Sequence, residues 1–402
     1  MKCVKLLEEF AYSKSSNGVE LKVIGKGDLH SLDQVLIFHK ETCLEKMTLE
    51  KCPPLELKHL LMLTSLRTLI IGNSVGLAGP LGGGQSDVEW QLPVDNNRGR
   101  GCDGVLLVPV HLYDSLQELE FINCQELVLV DPPTLVPGGG GLQALRSLHR
   151  LTIQRSPKFL STFSFSRHIF PSSLQSLELW GVEGLGTLEP LSNLSSLTRL
   201  ELGNCREDLK CQGLWSLLTS EGQLNKLKVL YSPRFFAGWD PYPRRALDEV
   251  EGEEERQTQL VSSTLRELCT DDETGLLSAP ICSFLSSSLT MLQLSGDGSV
   301  GNWSERKERF SKEQEDALQL LCSLQEPWFT HFDDLQHLPA GLGNLTNLKI
   351  LSIIVCPAVS SLPNDGLPKS LQELNVRSCR NEKLKQQCRG LVGTIPKIII
   401  DY

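Results

Sequence analysis

Leu116-Gln117-Glu118-Leu119-Glu120-Phe121-Ile122-Asn123-Cys124 is the stretch whose reading decides how this chain folds. Written as L-x-x-L-x-L-x-x-C, the phrase recurs upstream as Leu44-x-x-Met47-x-Leu49-x-x-Cys52 and as Leu66-x-x-Leu69-x-Ile71. Downstream it starts again at Leu148, Leu174, Leu197, Leu227, Leu265, Leu289, Leu348 and Leu371. Several intervals are short: 66 − 44 = 22, 174 − 148 = 26, 197 − 174 = 23, 289 − 265 = 24 and 371 − 348 = 23. Alternate residues of a strand face opposite sides, so Leu119 and Phe121 are expected inside, with Glu118, Glu120 and Ile122 outside. Leu200 and Leu202 repeat the inward pair, with Arg199, Glu201 and Gly203 outside. The ninth position begins the turn away from the strand. It is Cys at Cys52, Cys124, Cys205, Cys356 and Cys379, and Ser at Ser74 and Ser156. A small, weakly polar group there can fill the turn and meet backbone groups that would otherwise lack partners.

A period of roughly 20–29 residues, made of a short strand and a return segment, is that of leucine-rich repeats. One such repeat cannot bury its apolar edge alone, so neighbours stack and share a core. The expected fold is therefore α/β: a leucine-rich-repeat solenoid, a curved, irregular horseshoe with a parallel sheet on its concave face. Residues 1–43 read as an irregular N-terminal segment or a partial repeat, and 44–400 as the solenoid. Insertions fall near 79–104, which is Gly-rich, near 240–259, which is Pro-bounded and acidic, and near 297–320, which is charged. Ser304 to Leu320 is helix-permissive and is expected to lie outside the strand array. One degenerate repeat is placed at Leu324-x-x-Pro327-x-Phe329-x-x-Phe332. Pro327 lacks the N–H donor of a strand, which predicts the weakest rung there.

The formal charge of 39 − 49 = −10 argues against a nucleic-acid partner, because phosphate contacts need clustered Lys and Arg. No apolar run approaches the roughly 18 residues of a membrane span. The opening Met1-Lys2-Cys3-Val4-Lys5-Leu6-Leu7-Glu8-Glu9 puts acids where a signal peptide needs its apolar stretch. The thirteen cysteines are odd in number and none has C-x-x-C spacing, so they read as reduced thiols in a cytoplasmic protein.

Two motifs suggest chemistry and both are better read as turns. Gly296-Asp297-Gly298-Ser299-Val300-Gly301 fits G-x-G-x-x-G after a strand, the pattern that brings backbone close to a dinucleotide pyrophosphate. That strand is itself a repeat strand, and such loops are ordinary in this architecture. Gly72-Asn73-Ser74-Val75-Gly76 fits the G-x-S-x-G elbow, yet Ser74 is a ninth residue and no motif places a His or acid partner. No phosphate-binding G-x-x-x-x-G-K-[ST] loop is present. The sequence implies no enzyme activity, no cofactor and no metal site. The outward positions are more informative: Glu118, Glu120, Glu178 and Glu201 interleave with Arg150 and Arg199, and Trp180, Tyr231 and Trp328 join them. Aromatics on a solvated face are costly unless covered, and Trp, Tyr and Arg dominate binding hot spots. Either a partner or neighbouring parts of the chain cover them.

The C-terminal stretch carries a family resemblance. Leu345-Thr346-Asn347-Leu348 leads to Cys356, and then Ser361-Leu362-Pro363-Asn364-Asp365-Gly366-Leu367-Pro368-Lys369-Ser370-Leu371-Gln372-Glu373-Leu374-Asn375-Val376-Arg377-Ser378-Cys379 follows. This resembles the repeat region of plant intracellular nucleotide-binding leucine-rich-repeat disease-resistance receptors, especially the coiled-coil class from grasses. Those receptors carry a signalling domain and a nucleotide-binding ATPase switch ahead of the repeats. The resemblance implies only the recognition and restraint half. Its implied partners are proteins: a pathogen effector, a guarded host protein, or the nucleotide-binding domain of the same receptor. An extracellular repeat receptor is the alternative, hinted at by Leu391 to Pro396. An enzyme using the Gly296–Gly301 loop is the alternative from another class.

Overall fold

The computed structural model describes residues 10–15, 18–25, 32, 44–53, 55, 57–60, 63–73, 110–127, 142–161, 169–205, 209–219, 222–242, 263–296, 308–363 and 366–401. The chain forms a leucine-rich-repeat solenoid in two compact units, the second of which begins in the main at Thr198. The insertion at 79–104, residues 243–259 and 297–307 of the other two, and the elbow residues from Ser74 onward lie outside the described residues.

The first unit holds β1 (Phe10–Ser15), β2 (Gly18–Ile24), β3 (Leu44–Glu50), β4 (Thr68–Gly72), β5 (Glu118–Ile122), β6 (Arg150–Gln154) and β7 (Ser176–Trp180). From β2 onward they pair in parallel, each with the next. β1 runs antiparallel to β2 and closes the first unit's sheet at that end. The segment ahead of Leu44 thus contributes two strands. The second unit holds β8 (Arg199–Gly203), β9 (Lys226–Leu230), β10 (Glu267–Thr270), β11 (Met291–Ser295), β12 (Glu326–Thr330), β13 (Ile350–Ile354), β14 (Glu373–Arg377) and β15 (Lys397–Ile400), all parallel. Return segments are single 3₁₀ turns or short helices, such as Ala279–Leu285 and Glu382–Gly390.

Burial follows the phrase. Leu116, Leu119 and Phe121 are sealed from solvent, as are Leu197, Leu200 and Leu202. Burying one such side chain contributes roughly 1.5–3 kcal/mol, and each of these two rungs supplies three. Two expectations are corrected. The repeat placed at Leu227 begins instead at Leu224: Leu227 pairs with Leu200, a fourth-position residue, and Leu224 is fully buried. Leucines at both positions gave the phrase two possible starts, and only strand pairing separates them. The helix expected over Ser304 to Leu320 spans Lys312–Gln319. It starts where Ser311 and Gln314 form a reciprocal capping box, and Ala317 and Leu318 bury its inner face. At Pro327 the register of β12 with β13 covers only Trp328 to Thr330, whereas β13 and β14 pair over five residues. A missing N–H at Pro327 is the simplest physical reason.

The turn after each strand has a feature that the apolar pattern does not display. Nine non-glycine residues have positive φ among the described residues: Lys51, Asn73, Asn123, Arg155, Asn204, Tyr231, His331, Val355 and Ser378. Each is the eighth residue of its phrase, and Gly181 takes the same place after β7. In seven of the nine this left-handed step keeps the eighth N–H in the ladder, as in Lys51 N–H to Gly72 O (2.9 Å) and Val355 N–H to Arg377 O (2.9 Å), whereas Ser378 N–H donates to the Asp401 carboxylate. It also turns the ninth side chain inward. There the thiols of Cys124, Cys356 and Cys379 donate to two carbonyls each, one in their own strand and one in the strand before. For Cys356 these are Ile354 O and Phe329 O, both at 3.5 Å. Ser156 does the same work with oxygen, donating to Gln154 O and accepting the N–H of Cys124.

Candidate functional site

The third, fifth and seventh residues of each phrase stand on the sheet face away from the core. In the first unit they build a depression of about 220 Å³ whose walls include Thr68, Glu118, Glu120, Arg150, Gln154 and Glu178. The register explains the gathering: Thr68, Glu118 and Arg150 are opposite one another on β4, β5 and β6, and Thr152 on β6 sits opposite both Glu120 and Glu178. Gln154 Nε2 donates to Glu178 Oε1 at 2.7 Å, and Thr68 Oγ1 donates to Glu118 Oε2 at 3.5 Å. Arg150 Nε lies 3.9 Å from Glu118 Oε1. Three glutamates therefore share one arginine in the wall. Burial holds the Glu120 carboxyl above its usual range, and the carboxylates of Glu178 and Glu118 push it further, against the weaker pull of Arg150 and Lys46. The depression is short of positive charge, so a cation entering it meets an electrostatic environment that favours it.

The other sequence-nominated residues fall elsewhere. Trp180 is the half-buried last residue of β7. In the second unit Arg199 and Glu201 pair with each other, and Lys228 Nζ approaches Glu201 at 3.9 Å. Glu201 was expected to stand in solvent but is only 6% exposed. Two cations compensate it, which reads as a staple across β8 and β9. Tyr231 is not an outward strand residue, contrary to the sequence expectation. With the phrase starting at Leu224 it is the eighth residue, with φ 60° and about half its surface exposed. Trp328 is half-buried on the outward face of β12.

Sequence reasoning missed a buried acid pair where the phrase at Leu265 breaks its own rules. The sixth residue is Thr270 and the eighth is Asp272, with φ −95° rather than a left-handed turn. Asp272 accepts the N–H groups of Phe236 (2.6 Å) and Gly275 (2.8 Å), capping the helix Glu273–Leu276. Asp271 accepts the N–H of Ser232. Burial drives the Asp272 carboxyl up to about 6, although both N–H bonds oppose it. The pattern Asp272-Glu273-Thr274-Gly275 ahead of Pro280 was a readable helix start. Gly296, first of the G-x-G-x-x-G residues, has a packing reason to be glycine: a Cβ there would lie 2.2 Å from His331 O. The rest of that motif lies outside the described residues.

No protein-family model matches this chain, and no curated protein matches it. Among solved structures, an internalin (inlF) from Listeria monocytogenes str. 4b F2365 is similar over 95% of this chain and 86% of its own, at 14% identity and a TM-score of 0.41. A likeness that loose says nothing about partner or role. Among the described residues no helix is long and apolar enough to cross a membrane. A leucine-rich-repeat sheet with one solvated face is an architecture suited to holding a protein partner.

Proposed function

We propose that this chain is a protein-recognition module of plant innate immunity, working in the cytoplasm. On this reading it senses a pathogen effector or a guarded host protein, and it restrains a nucleotide-binding switch domain through the same kind of contact. The phrase from Ser361 to Cys379 supports the receptor class by resemblance. Buried thiols built into successive turns, each bonded to backbone carbonyls, favour a reducing compartment. The role is binding rather than catalysis.

The observation that carries the recognition half is the depression around Glu120, where three glutamates face one arginine. Its complement is a Lys or Arg side chain on the partner. The test compares parent, Glu120→Gln and Glu120→Lys for binding to candidate effectors and to the nucleotide-binding module of a similar receptor supplied as a separate chain. Glu120→Lys should weaken binding at least about tenfold, equivalent to about 1.4 kcal/mol, and the parent affinity should fall as salt rises. Circular dichroism should be unchanged. Equal affinity of all three proteins for every partner would remove the depression from the recognition site.

A further inference from the structure

The outward face of the second unit carries a different kind of feature. Trp328, Ser352 and Asn375 are fifth residues of three successive phrases, and the parallel register sets Trp328 opposite Ser352 and Ser352 opposite Asn375. Ser352 is 0% exposed and Asn375 7% exposed. Trp328 Nε1, Ser352 Oγ and Asn375 Oδ1 are each sealed from solvent with no hydrogen-bond partner. Six such side-chain atoms occur among the described residues, and half of them sit in consecutive places on this one row. The row is bounded on both sides: Gln293 is engaged with Thr330 Oγ1 at 3.3 Å, and the residue opposite Asn375 on β15 is Ile399. Folded proteins rarely leave a buried donor or acceptor unmet, because doing so costs the full desolvation of that group. A contiguous row of them points to something that completes it.

We propose that this row binds the main chain of an extended peptide segment of a partner, reached when the Trp328 indole turns aside. The donor and acceptor types select the ligand class. An indole N–H only donates and so needs a carbonyl, an amide oxygen only accepts and so needs an N–H, and a hydroxyl does both. Extended polypeptide offers C=O and N–H groups alternately at short intervals. Neighbouring strands lie about 4.8 Å apart, so Trp328 to Asn375 spans roughly 9.6 Å, close to three residues of extended chain at about 3.3 Å each. The surroundings fit the same ligand. Ile350 and Ile354 stand half-buried on either side of Ser352, where alternate peptide side chains would lie. Glu373 is already paired with Lys397 at 2.9 Å, so the rim offers balanced charge and no anion-binding field. The inference rests on the reading of this chain as a protein-recognition module, but it uses another unit and another chemistry than the Glu120 depression.

The test selects binders from displayed random peptides against the full chain, then measures their affinity for the parent, Trp328→Phe, Ser352→Ala and Glu120→Gln. Ser352→Ala deletes an unmet polar atom, so it should leave the unfolding temperature unchanged or raise it. Trp328→Phe keeps an aromatic ring and loses only the donor and the second ring. Both should weaken the selected peptides at least about tenfold, and methylating a main-chain nitrogen of the peptide should do the same. Glu120→Gln should not affect them. A lower unfolding temperature for Ser352→Ala would mean that its hydroxyl is partnered within the chain, and would overturn the proposal. So would selected peptides that bind both row variants as tightly as the parent, or a selection that yields no binder. Effector binding unchanged in Glu120→Lys while both row variants lose the peptides fails the first site alone, and effector binding lost in Glu120→Lys while both row variants keep the peptides fails this one alone.

Discussion

The left-handed eighth residue gives the sharpest stability prediction, because the same backbone step is occupied by residues of very different tolerance. An L-residue in that region costs roughly 1–2 kcal/mol, with Asn and Gly the mildest cases and β-branched residues the worst. Asn204 has φ 51° and an exposed side chain, and its N–H bond to Leu230 O, at 3.3 Å, belongs to the backbone. Replacing it with Val therefore removes no packing and should cost about 1–2 kcal/mol. Arg155 has φ 50° and is also exposed. Arg155→Gly relieves the same strain but gives the unfolded chain extra freedom worth about 0.5–1 kcal/mol. The net expectation is a gain of about 0.5–1 kcal/mol. Urea unfolding midpoints measure both, and amide exchange in the neighbouring strands shows whether each effect stays local, as nearest-neighbour coupling requires. An Asn204→Val protein with the parent midpoint, together with an Arg155→Gly protein less stable than the parent, would refute the turn geometry.

Thiol chemistry should follow burial. Cys211, Cys282 and Cys356 are pushed up to about 12 by desolvation, whereas Cys322 is exposed. Mild alkylation of the native protein at neutral pH should modify Cys322 first and reach the other three only on unfolding; peptide mapping by mass spectrometry reads the order, and early labelling of Cys356 would contradict the turn packing. Asp272 predicts a pH effect whose sign is unusual for a carboxylate. Its folded value of about 6 lies above the ordinary 3.8, so protonation favours the fold. Stability from this group is present below about pH 4 and is lost as pH rises toward 6, by at most about 3 kcal/mol. The stability difference between parent and Asp272→Asn should fall across that window and be flat above it. A flat difference from pH 4 to 6 would rule this out.

Much of the repeat was legible in the residues because strand alternation is local. Leu119 and Phe121 go inside and Glu118 and Glu120 outside whatever the neighbours are. The ninth-position cysteines were readable for the same reason, since a turn that follows every strand needs a small buried group at a fixed offset. The capping box at Ser311 and Gln314 was present as well, but the charged run around it made the helix look longer than Lys312–Gln319.

Where two leucines could each begin a phrase, as at Leu224 and Leu227, the pattern is degenerate, and only pairing with Leu200 across the sheet selects one. That choice moved Tyr231 from the sheet face to a left-handed turn. The left-handed eighth residue was itself invisible, because Lys51, Arg155 and Val355 share no side-chain property and answer only to the ladder hydrogen bond their N–H must keep. The candidate sites depend on distances between strands that are far apart in sequence. Glu118, Arg150 and Glu178 meet through register, and Trp328, Ser352 and Asn375 form a row only because three successive strands align. Period and inward face belong to the sequence by itself, since both are set within a single strand. Which outward residues stand together, and which polar atoms are left without partners, was decided by tertiary structure alone, since both depend on what the neighbouring strands bring opposite.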